Sequence, residues 1–240
     1  VNAGKKSLTV DLSKPEGLAL VKSLIKTADI VVNNFRPDAL ERMGLGYEVL
    51  KALKEDIILL NMPGAHRFGP WAQRPSMGNI LMAASGFNML SGFEGERPRG
   101  IGVAYPDFTS PHLLVATLMA ALRQRASSGE GQQLHLTQLS GVLSLLGSEW
   151  MQYKATGVQP PRNSNRNANY CPHGIYRTED EVNPEIDTWV AIAVESDVQW
   201  RAFCEVIGVP GLVNDARFAT HDARKDNENA LDAIISDWAR

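Results

Sequence analysis

The sequence predicts an α/β protein, with a doubly wound, Rossmann-like parallel sheet domain followed by part of a smaller α+β domain. Two observations lead to this prediction. Short, continuous apolar runs at residues 29–32 and 56–60 are typical of strands buried on both faces, and helical patterns flank them. After a polar connection at residues 157–169, two strand patterns are followed by two helical ones, which is typical of a separate domain.

The first part of the chain alternates between strand and helix patterns. A β-branched run at residues 6–12 predicts a strand, and apolar residues at helical spacing predict a helix at 18–25. Two further helices, at 37–44 and 47–54, separate the two buried strands. Alternation at this spacing predicts a parallel sheet that is covered by helices.

The rest of the sheet domain continues this alternation. Ser110 and Pro111 are suited to the N-cap and first turn of an apolar helix, which should end at the Ser127-Ser128-Gly129 stop. The further elements predicted here are, in chain order, a loop at 64–75, a helix at 78–90, a loop at 92–102, a helix at 113–125, a strand at 132–137 and a helix at 140–153.

These patterns divide the chain into residues 1–156 for the central part of the sheet domain, 157–169 for a linker and 170–240 for an incomplete smaller domain. The elements predicted for the smaller domain are antiparallel strands at 174–177 and 188–194 and helices at 197–207 and 227–238. The N-terminus lacks a Met, and the last helical pattern still runs when the chain stops at Arg240. We therefore expect both ends to be cut.

Composition narrows the classes of function. The chain has 240 residues, of which 44% are apolar and 21% charged, and a formal net charge of -3. These values are typical of a globular protein, provide no basic surface for nucleic acid, and leave no apolar run of the roughly 18 residues that a membrane span needs. We expect a cytoplasmic protein that acts on small molecules, since no signal peptide is present.

Metal, disulfide and hydrolase chemistry have no support in the motifs. Cys171 and Cys204 form no framework of disulfides, and the five histidines do not fall at the spacing of metal ligands. No metal is predicted. There is no G-x-S-x-G elbow for a serine hydrolase and no phosphate loop beside Lys5 and Lys6.

Asp107 is the residue for which the sequence most clearly allows a chemical role. It lies in the segment YPDFTSP at residues 105–111, just ahead of the predicted apolar helix. A carboxylate there can cap the helix, since acidic side chains are favoured near helix N-termini. It can also act as a nucleophile that forms an acyl intermediate. The residues themselves leave both alternatives open.

Several segments, in the same order, resemble the family III CoA-transferases, the group that includes formyl-CoA and carnitine CoA-transferases. They are residues 2–12 (NAGKKSLTVDL), similar to the family's N-R-G-K-(K/R)-S-(I/L) strand entry, residues 33–37 (NNFRP), similar to E-N-F-R-P-G, residues 40–47 (LERMGLGY), similar to L-(E/D)-R-(L/M)-G, and residues 129–132 (GEGQ), similar to T-G-x-G-Q. Asp107 falls where this family has its catalytic aspartate.

The resemblance implies a fold, an activity and a set of site residues. Residues 1–156 would be the central part of a CoA-binding domain, and two identical chains would form interlocked rings. Coenzyme A would be bound as acyl-CoA, a substrate, by Asn34, Phe35, Arg42 and Met43. Asp107 would carry the acyl group between acyl-CoA and a carboxylic acid, without a metal.

Two departures from the family pattern affect this interpretation. Met77 and Gly78 stand where many members have an aromatic and then an acidic residue, and where the related racemases have a catalytic His and an Asp. Met cannot transfer protons, which disfavours a racemase. The alternatives that remain are an acyl-CoA racemase or isomerase of the same family and a catalytically silent partner subunit.

Overall fold

The computed structural model describes residues 2–179 and 185–240. It divides into two compact units. Unit 1 contains the chain up to Gly92 together with Arg97–Pro161, and unit 2 contains Phe93–Glu96 and Arg162–Arg240. The main change of unit, at Pro161, lies within the connection predicted at 157–169, whereas the identities assigned to the two domains stay predictions.

Helices and strands alternate through unit 1. They are, in chain order, α1 (Pro15–Ile25), β1 (Ile30–Asn33), α2 (Ala39–Arg42), α3 (Tyr47–Leu53), β2 (Ile58–Asn61), α4 (Gly78–Ala84), α5 (Phe87–Leu90), α6 (Tyr105–Ser128), β3 (Gln132–His135), α7 (Gln138–Ser144) and α8 (Gly147–Thr156). In unit 2 they are β4 (His173–Thr178), β5 (Thr188–Ala193), α9 (Asp197–Val206), a 3₁₀ helix (Pro210–Asn214), α10 (His221–Asp226) and α11 (Glu228–Ala239).

The sheet of unit 1 is parallel, with the order β1-β2-β3 among the described residues. Asn33, Asn61 and His135 lie at the same level at the carboxyl ends of the three strands. In the central strand, Ile58, Leu59 and Leu60 have no exposed surface, as expected for a strand covered on both faces. The predicted mixed α/β class with a parallel sheet is confirmed.

One face of this sheet is covered by α1, α2 and α3. Apolar side chains of these helices and of the connection between α2 and α3 form a cluster with two residues of the β2 region: Ile25, Leu40, Leu45, Leu50, Ile57 and Leu59. Successive strand residues point to opposite faces, so Ile58 and Leu60 point to the other face, and α6 is a helix that contacts β2. Burial of these side chains is the main source of stability for unit 1.

Helix α6 runs from the carboxyl ends of the strands to their amino ends. Near its C-terminus, the Arg125 guanidinium donates to the Asp29 carbonyl at 3.2 Å and to the Asp29 carboxylate at 3.0 Å, just before β1. It also donates to the carbonyl of Asp56, just before β2, at 3.4 Å. Because these contacts hold the C-terminus at the amino ends, the N-terminus of α6, which carries Asp107, reaches the opposite edge of the sheet.

Two glycines make the turn from α6 into β3 possible. Gly129 ends α6 with a φ of 74°, a left-handed conformation that glycine adopts without steric cost. At Gly131, a Cβ atom would lie 2.2 Å from the carbonyl oxygen of Ile57. Only glycine therefore allows β3 to begin this close to β2.

Unit 2 has its own core, built from an antiparallel hairpin and helices. β4 pairs with β5, which confirms the two antiparallel strands that the sequence predicts. Trp200, Phe218 and Leu231 are among the fully buried side chains of this core. Arg224 is buried as well, but its guanidinium is satisfied by the carbonyls of Cys171 and Phe218 and by the Asp197 carboxylate, at 2.9 to 3.2 Å.

Some predicted elements differ from the structure. Residues 6–12 form no strand, because no strand among the described residues pairs with them, and Leu8 is 59% exposed. The helix predicted at 78–90 is divided into α4 and α5 at Gly86, which has a φ of 85°. The helix predicted at 140–153 is likewise divided, and the 3₁₀ helix and α10 were not predicted.

The start of α6 is the correction that matters for function. The helix begins at Tyr105, so Ser110 is not its N-cap and Asp107 lies inside the first turn instead of ahead of it. Pro106 takes the early helical position expected for Pro111. Ser110 is fully buried, and a Cβ atom on Gly141 would lie 3.0 Å from its Oγ, so this serine faces α7 within the helix packing.

Candidate active site

A cleft of about 560 Å³ opens at the carboxyl ends of the strands in unit 1. Each strand leads directly into it, β1 through Asn34, β2 through Met62 to Ala65, and β3 through Gln138. Asp107 and the segment before α4 complete its lining. This is the edge at which parallel α/β sheets bind ligands, because the connections spread apart there.

Asp107 projects from the first turn of α6 into this cleft. The residue is exposed, and its Oδ1 accepts a hydrogen bond of 3.3 Å from Gln138 Nε2. Its backbone N–H donates to the Ala104 carbonyl at 2.9 Å. The carboxylate therefore stands in an accessible position in the first turn of a helix, where negative charge is favoured.

Gly78 lets the chain approach the Asp107 carboxylate closely. A Cβ atom at this position would lie 2.5 Å from Ala104 Cβ and 3.0 Å from Asp107 Oδ2. A side chain at 78 would therefore displace the segment that carries Asp107. The departure from the family pattern at Gly78 thus permits this close approach, since an acidic side chain would not fit there without movement of the backbone.

Gln138 is held in place by the backbone of the neighbouring connection. Its N–H donates to the Pro63 carbonyl at 3.1 Å, and the N–H of Leu139 donates to the Gly64 carbonyl at 3.0 Å. Thr137 caps α7 by accepting from the Ser140 N–H at 3.1 Å. The start of α7 is therefore fixed against the loop after β2, which sets the position of the Gln138 side chain beside Asp107.

Two arginines give the cleft positive charge. Arg36 follows β1 and Arg74 lies in the loop before α4, and both line the cleft. The Arg74 guanidinium lies 5.5 Å from the centre of the Trp71 ring, a cation–π contact that helps to orient it. Guanidinium groups pair well with phosphate and carboxylate, so this cleft suits an anionic ligand.

The predicted CoA-binding residues do not all meet in the cleft. Asn34 lines it together with Asp107, whereas Phe35 lines a smaller depression beside it and is 44% exposed. Arg42 and Met43 lie at the end of α2, are exposed, and line neither. The assignment of these four residues to CoA and of Asp107 to catalysis stays a prediction.

Charged side chains of both signs line the smaller depression. Arg67 pairs with Asp38 at 3.0 Å, and His135 at the end of β3 lies nearby. Burial, aided by the charge of Arg67, lowers the pKa of His135, so this imidazole is neutral near pH 7. A neutral His135 adds no positive charge to the depression.

Sequence reasoning missed Gln138, Arg36 and Arg74 as residues of the site. A usable signal existed for two of them, because Arg36 and Gln138 lie just beyond the ends of predicted strands, where parallel sheets bind ligands. Arg74 lies in a loop, and no pattern in the sequence places that loop beside Asp107.

Residues 2–179 and 185–240 contain no group of three or more His, Cys, Asp or Glu side chains that is arranged to hold a metal ion. Within the same residues, no helix is long and apolar enough to cross a membrane.

Comparison with known proteins gives consistent matches along the chain. It is 36% identical over 234 residues to succinyl-CoA–D-citramalate CoA-transferase of Chloroflexus aurantiacus, and 34% identical over 235 residues to succinate–glutarate CoA-transferase of Agrobacterium fabrum. Each alignment covers 98% of this chain and 57% of the relative. The chain thus spans little more than half the length of these curated relatives.

A solved structure supports the fold at similar identity. The crystal structure of a CAIB/BAIF family protein from Brucella suis superposes with a TM-score of 0.88 at 32% identity, covering 99% of this chain and 61% of the other. The family model described as CoA-transferase family III matches residues 1–240. With this match over its whole length, the chain belongs to CoA-transferase family III.

Proposed function

We propose that the protein moves coenzyme A from an acyl-CoA to a free carboxylic acid, by way of a covalent intermediate on Asp107. The observation that carries this proposal is the position of Asp107, whose exposed carboxylate enters a strand-end cleft and is held by one long hydrogen bond. A carboxylate so placed is accessible to a thioester, and carboxylates form acyl intermediates in this way.

The first half of the reaction forms a mixed anhydride. Asp107 Oδ2 attacks the carbonyl carbon of the bound thioester, the C–S bond breaks, and the electron pair leaves with sulfur as the CoA thiolate. Gly78 supports the role of Asp107 as the nucleophile, because a side chain at position 78 would displace the first turn of α6, which holds the carboxylate in the cleft.

The second half moves CoA onto the protein and then to the acceptor. The thiolate attacks Cγ of Asp107 and expels the first carboxylic acid, which leaves an aspartyl-CoA thioester. An incoming carboxylate then attacks Cγ and releases the thiolate, and the thiolate takes the new acyl group and restores Asp107. Each step exchanges one activated acyl group for another, so no other source of energy is needed.

Transfer is favoured over racemisation by the groups that line the cleft. Among the described residues of its lining, Asp107 is the one carboxylate, no His, Lys, Tyr or Cys accompanies it, and Met77 has no proton to transfer. A racemase needs a second acid or base across from the first. The isomerase alternative therefore has no partner for Asp107 here.

We propose a dicarboxylic substrate, with succinyl-CoA as the first donor to test. The names of the two relatives described above contain succinyl-CoA and succinate, and both describe dicarboxylic acids. Arg36 and Arg74 support this choice, since a guanidinium in the cleft can pair with the second carboxylate of a dicarboxylic acyl group or with the phosphates of CoA.

Chromatography of CoA thioesters tests the function directly. The full-length protein is incubated with succinyl-CoA and a panel of acids, among them citramalate, glutarate, malate and acetate, and each mixture is examined for a new thioester. A new acyl-CoA that appears together with free succinate is the expected result. Hydrolysis to free CoA without a new thioester would point instead to a thioesterase.

We also propose that the functional form is a dimer of identical chains, as the family resemblance implies. Large apolar side chains on α6 and α8 are exposed in this chain: Phe108, Val115, Met119, Trp150 and Met151. Contact with a second chain would cover such side chains. Light scattering of the full-length protein should give twice the monomer mass, and a monomeric mass would contradict the proposal.

A further inference from the structure

We infer that Gln138 is a catalytic residue, whose side-chain amide stabilises the oxyanion that develops on Asp107 Oδ1 when the CoA thiolate attacks Asp107 Cγ. The inference rests on the proposed function, since it concerns the second half of that reaction. It starts from the one hydrogen bond found for the Asp107 carboxylate among the described residues, from Gln138 Nε2 at 3.3 Å.

The chemistry of the two groups fixes the direction of this bond. An ionised carboxylate only accepts hydrogen bonds, so the nitrogen of the Gln138 amide, and not its oxygen, must face Asp107. The bond also distinguishes the two carboxylate oxygens. Oδ1 accepts the hydrogen bond from Gln138, whereas Oδ2 lies toward Gly78.

This distinction matches the roles of the two oxygens in the reaction. The oxygen that attacks the thioester, Oδ2, becomes the bridging atom of the anhydride and leaves with the first acid. Oδ1 remains on the protein, first as the carbonyl of the anhydride and then as that of the aspartyl-CoA thioester. When sulfur adds to Cγ, the electron pair of the C=O bond moves to Oδ1, which gains a full negative charge.

A hydrogen-bond donor that waits at Oδ1 stabilises this charge more than it stabilises the neutral anhydride. Such a donor lowers the barrier only if it is already in position, because moving it into place during the reaction would cost the free energy that its hydrogen bond provides. The backbone supplies that position: Gln138 N–H is bound to the Pro63 carbonyl at 3.1 Å, and α7 packs on α6 where Ser110 faces Gly141. Gln138 and Asp107 are thus held on two helices in fixed contact.

Two substitutions separate the donor from the shape of the side chain. Gln138→Leu removes the amide at similar volume. Gln138→Glu keeps the shape but replaces the donor with a carboxylate, which would repel the oxyanion at neutral pH. A role in packing alone predicts that Glu preserves activity, whereas a donor role predicts that Glu is at least as harmful as Leu.

The experiment measures the rate at which aspartyl-CoA accumulates after rapid mixing of the full-length protein with succinyl-CoA, followed by acid quench and intact-mass analysis. We expect Gln138→Leu to lower this rate roughly 10- to 100-fold. The fall should be smaller than for the removal of a short hydrogen bond to an oxyanion, because this contact is 3.3 Å long. We expect Gln138→Glu to lower it at least as far, and the dissociation constant for CoA to stay within about threefold of wild type.

The control is Gln124→Leu, the same chemical change at an exposed position of α6 outside the cleft. It should react at the wild-type rate, and circular dichroism should show that all three variants are folded. A rate for Gln138→Leu or Gln138→Glu within threefold of wild type overturns the role of Gln138, as does a loss of CoA affinity that accounts for the slower reaction. The absence of any adduct on wild type instead overturns the aspartyl mechanism itself, and the role of Gln138 with it.

Discussion

Asp107 in unit 1 and Asp232 in unit 2 are carboxylates in opposite situations. Asp232 Oδ2 accepts from the Arg166 guanidinium at 2.6 and 3.2 Å, and Oδ1 accepts from the Tyr176 hydroxyl at 2.7 Å. Asp107 is exposed in a cleft and accepts one hydrogen bond of 3.3 Å. The comparison teaches that a saturated carboxylate contributes to stability, whereas a lightly held one keeps lone pairs available for reaction.

The surroundings of the two carboxylates differ as well: those of Asp232 are partly buried and hydrogen-bonded, and those of Asp107 are open. Burial, followed by the hydrogen bond to Asp232, strongly raises the pKa of Tyr176, so its hydroxyl stays a donor at neutral and moderately alkaline pH. Asp107 instead faces the open cleft that Arg36 and Arg74 also line. In unit 2, these polar groups bind one another. In the cleft of unit 1, the two arginines are available to an anionic ligand.

The largest expected effect is the loss of transfer in Asp107→Asn. The amide cannot attack a thioester at a useful rate, so the rate of CoA transfer should fall by at least about 1,000-fold. The free energy of unfolding should change by no more than about 0.5 kcal/mol, because the side chain is exposed. Steady-state transfer assays and urea denaturation measure the two quantities on the same preparation.

Asp232→Asn is the matched substitution and should show the reverse pattern in stability. It removes the charge that Arg166 and the Tyr176 hydroxyl contact, at a position that is partly buried. The expected loss is about 1–2 kcal/mol in the free energy of unfolding, after allowance for the exposed part of the pair. Equal stability of the Asp107 and Asp232 variants in urea would remove the distinction between the two carboxylates.

Gly78→Ala tests whether the close approach of residue 78 to Asp107 is needed for a normal rate of transfer. The new Cβ would clash with Ala104 at 2.5 Å, so the first turn of α6 must shift, and small displacements of a reacting group are costly. We expect the rate of transfer to fall about 10-fold. The control, Gly147→Ala at the start of α8, meets nothing within 4 Å and should behave as wild type in the same assay.

The smallest expected effect is a loss of stability at alkaline pH, which is absent at neutral pH. Burial raises the pKa of both Cys171 and Cys204 from 9.0 to about 11. The unfolded chain therefore loses these protons first as pH rises, so the stability they contribute is complete below pH 9 and is lost between about pH 9 and pH 11. Each thiol should lower the free energy of unfolding by about 1 kcal/mol at pH 10.

Urea denaturation at pH 8 and pH 10 checks this sign. Cys204→Ala should be less stable than wild type at both pH values. Between pH 8 and pH 10, however, the free energy of unfolding should fall less in the variant than in wild type, because the variant lacks one of the two buried thiols. Equal losses in the two proteins would mean that the buried Cys204 thiol ionises as readily as in the unfolded chain.

Local patterns were sufficient to predict the strands that carry a continuous apolar run. Residues 29–32 and 56–60 correspond to β1 and β2. Burial on both faces is found for β2, whereas Val32 of β1, at the edge of the described sheet, is 47% exposed. Residues 6–12 have a similar β-branched composition and form no strand, since a strand depends on a partner that the pattern cannot supply. Pairing is a property of the fold and not of the segment.

The start of α6 and the position of Gln138 show the same limit at the site. Pro106 and Pro111 are both compatible with a first turn, and the choice depends on the packing of Ser110 against Gly141, which lies 31 residues further along the chain. The contact between Gln138 and Asp107 follows from that same packing of α6 on α7. A motif could indicate Asp107, but only the fold brings its hydrogen-bond partner to it.

The central claim is that Asp107 becomes covalently attached to CoA, and peptide mapping tests it most directly. Wild type and Asp107→Asn are incubated with succinyl-CoA, quenched in acid, digested and analysed by mass spectrometry. The account predicts a peptide containing Asp107 that carries CoA in wild type and no such adduct in the variant. A CoA adduct on another residue, or one that forms equally in Asp107→Asn, would contradict it.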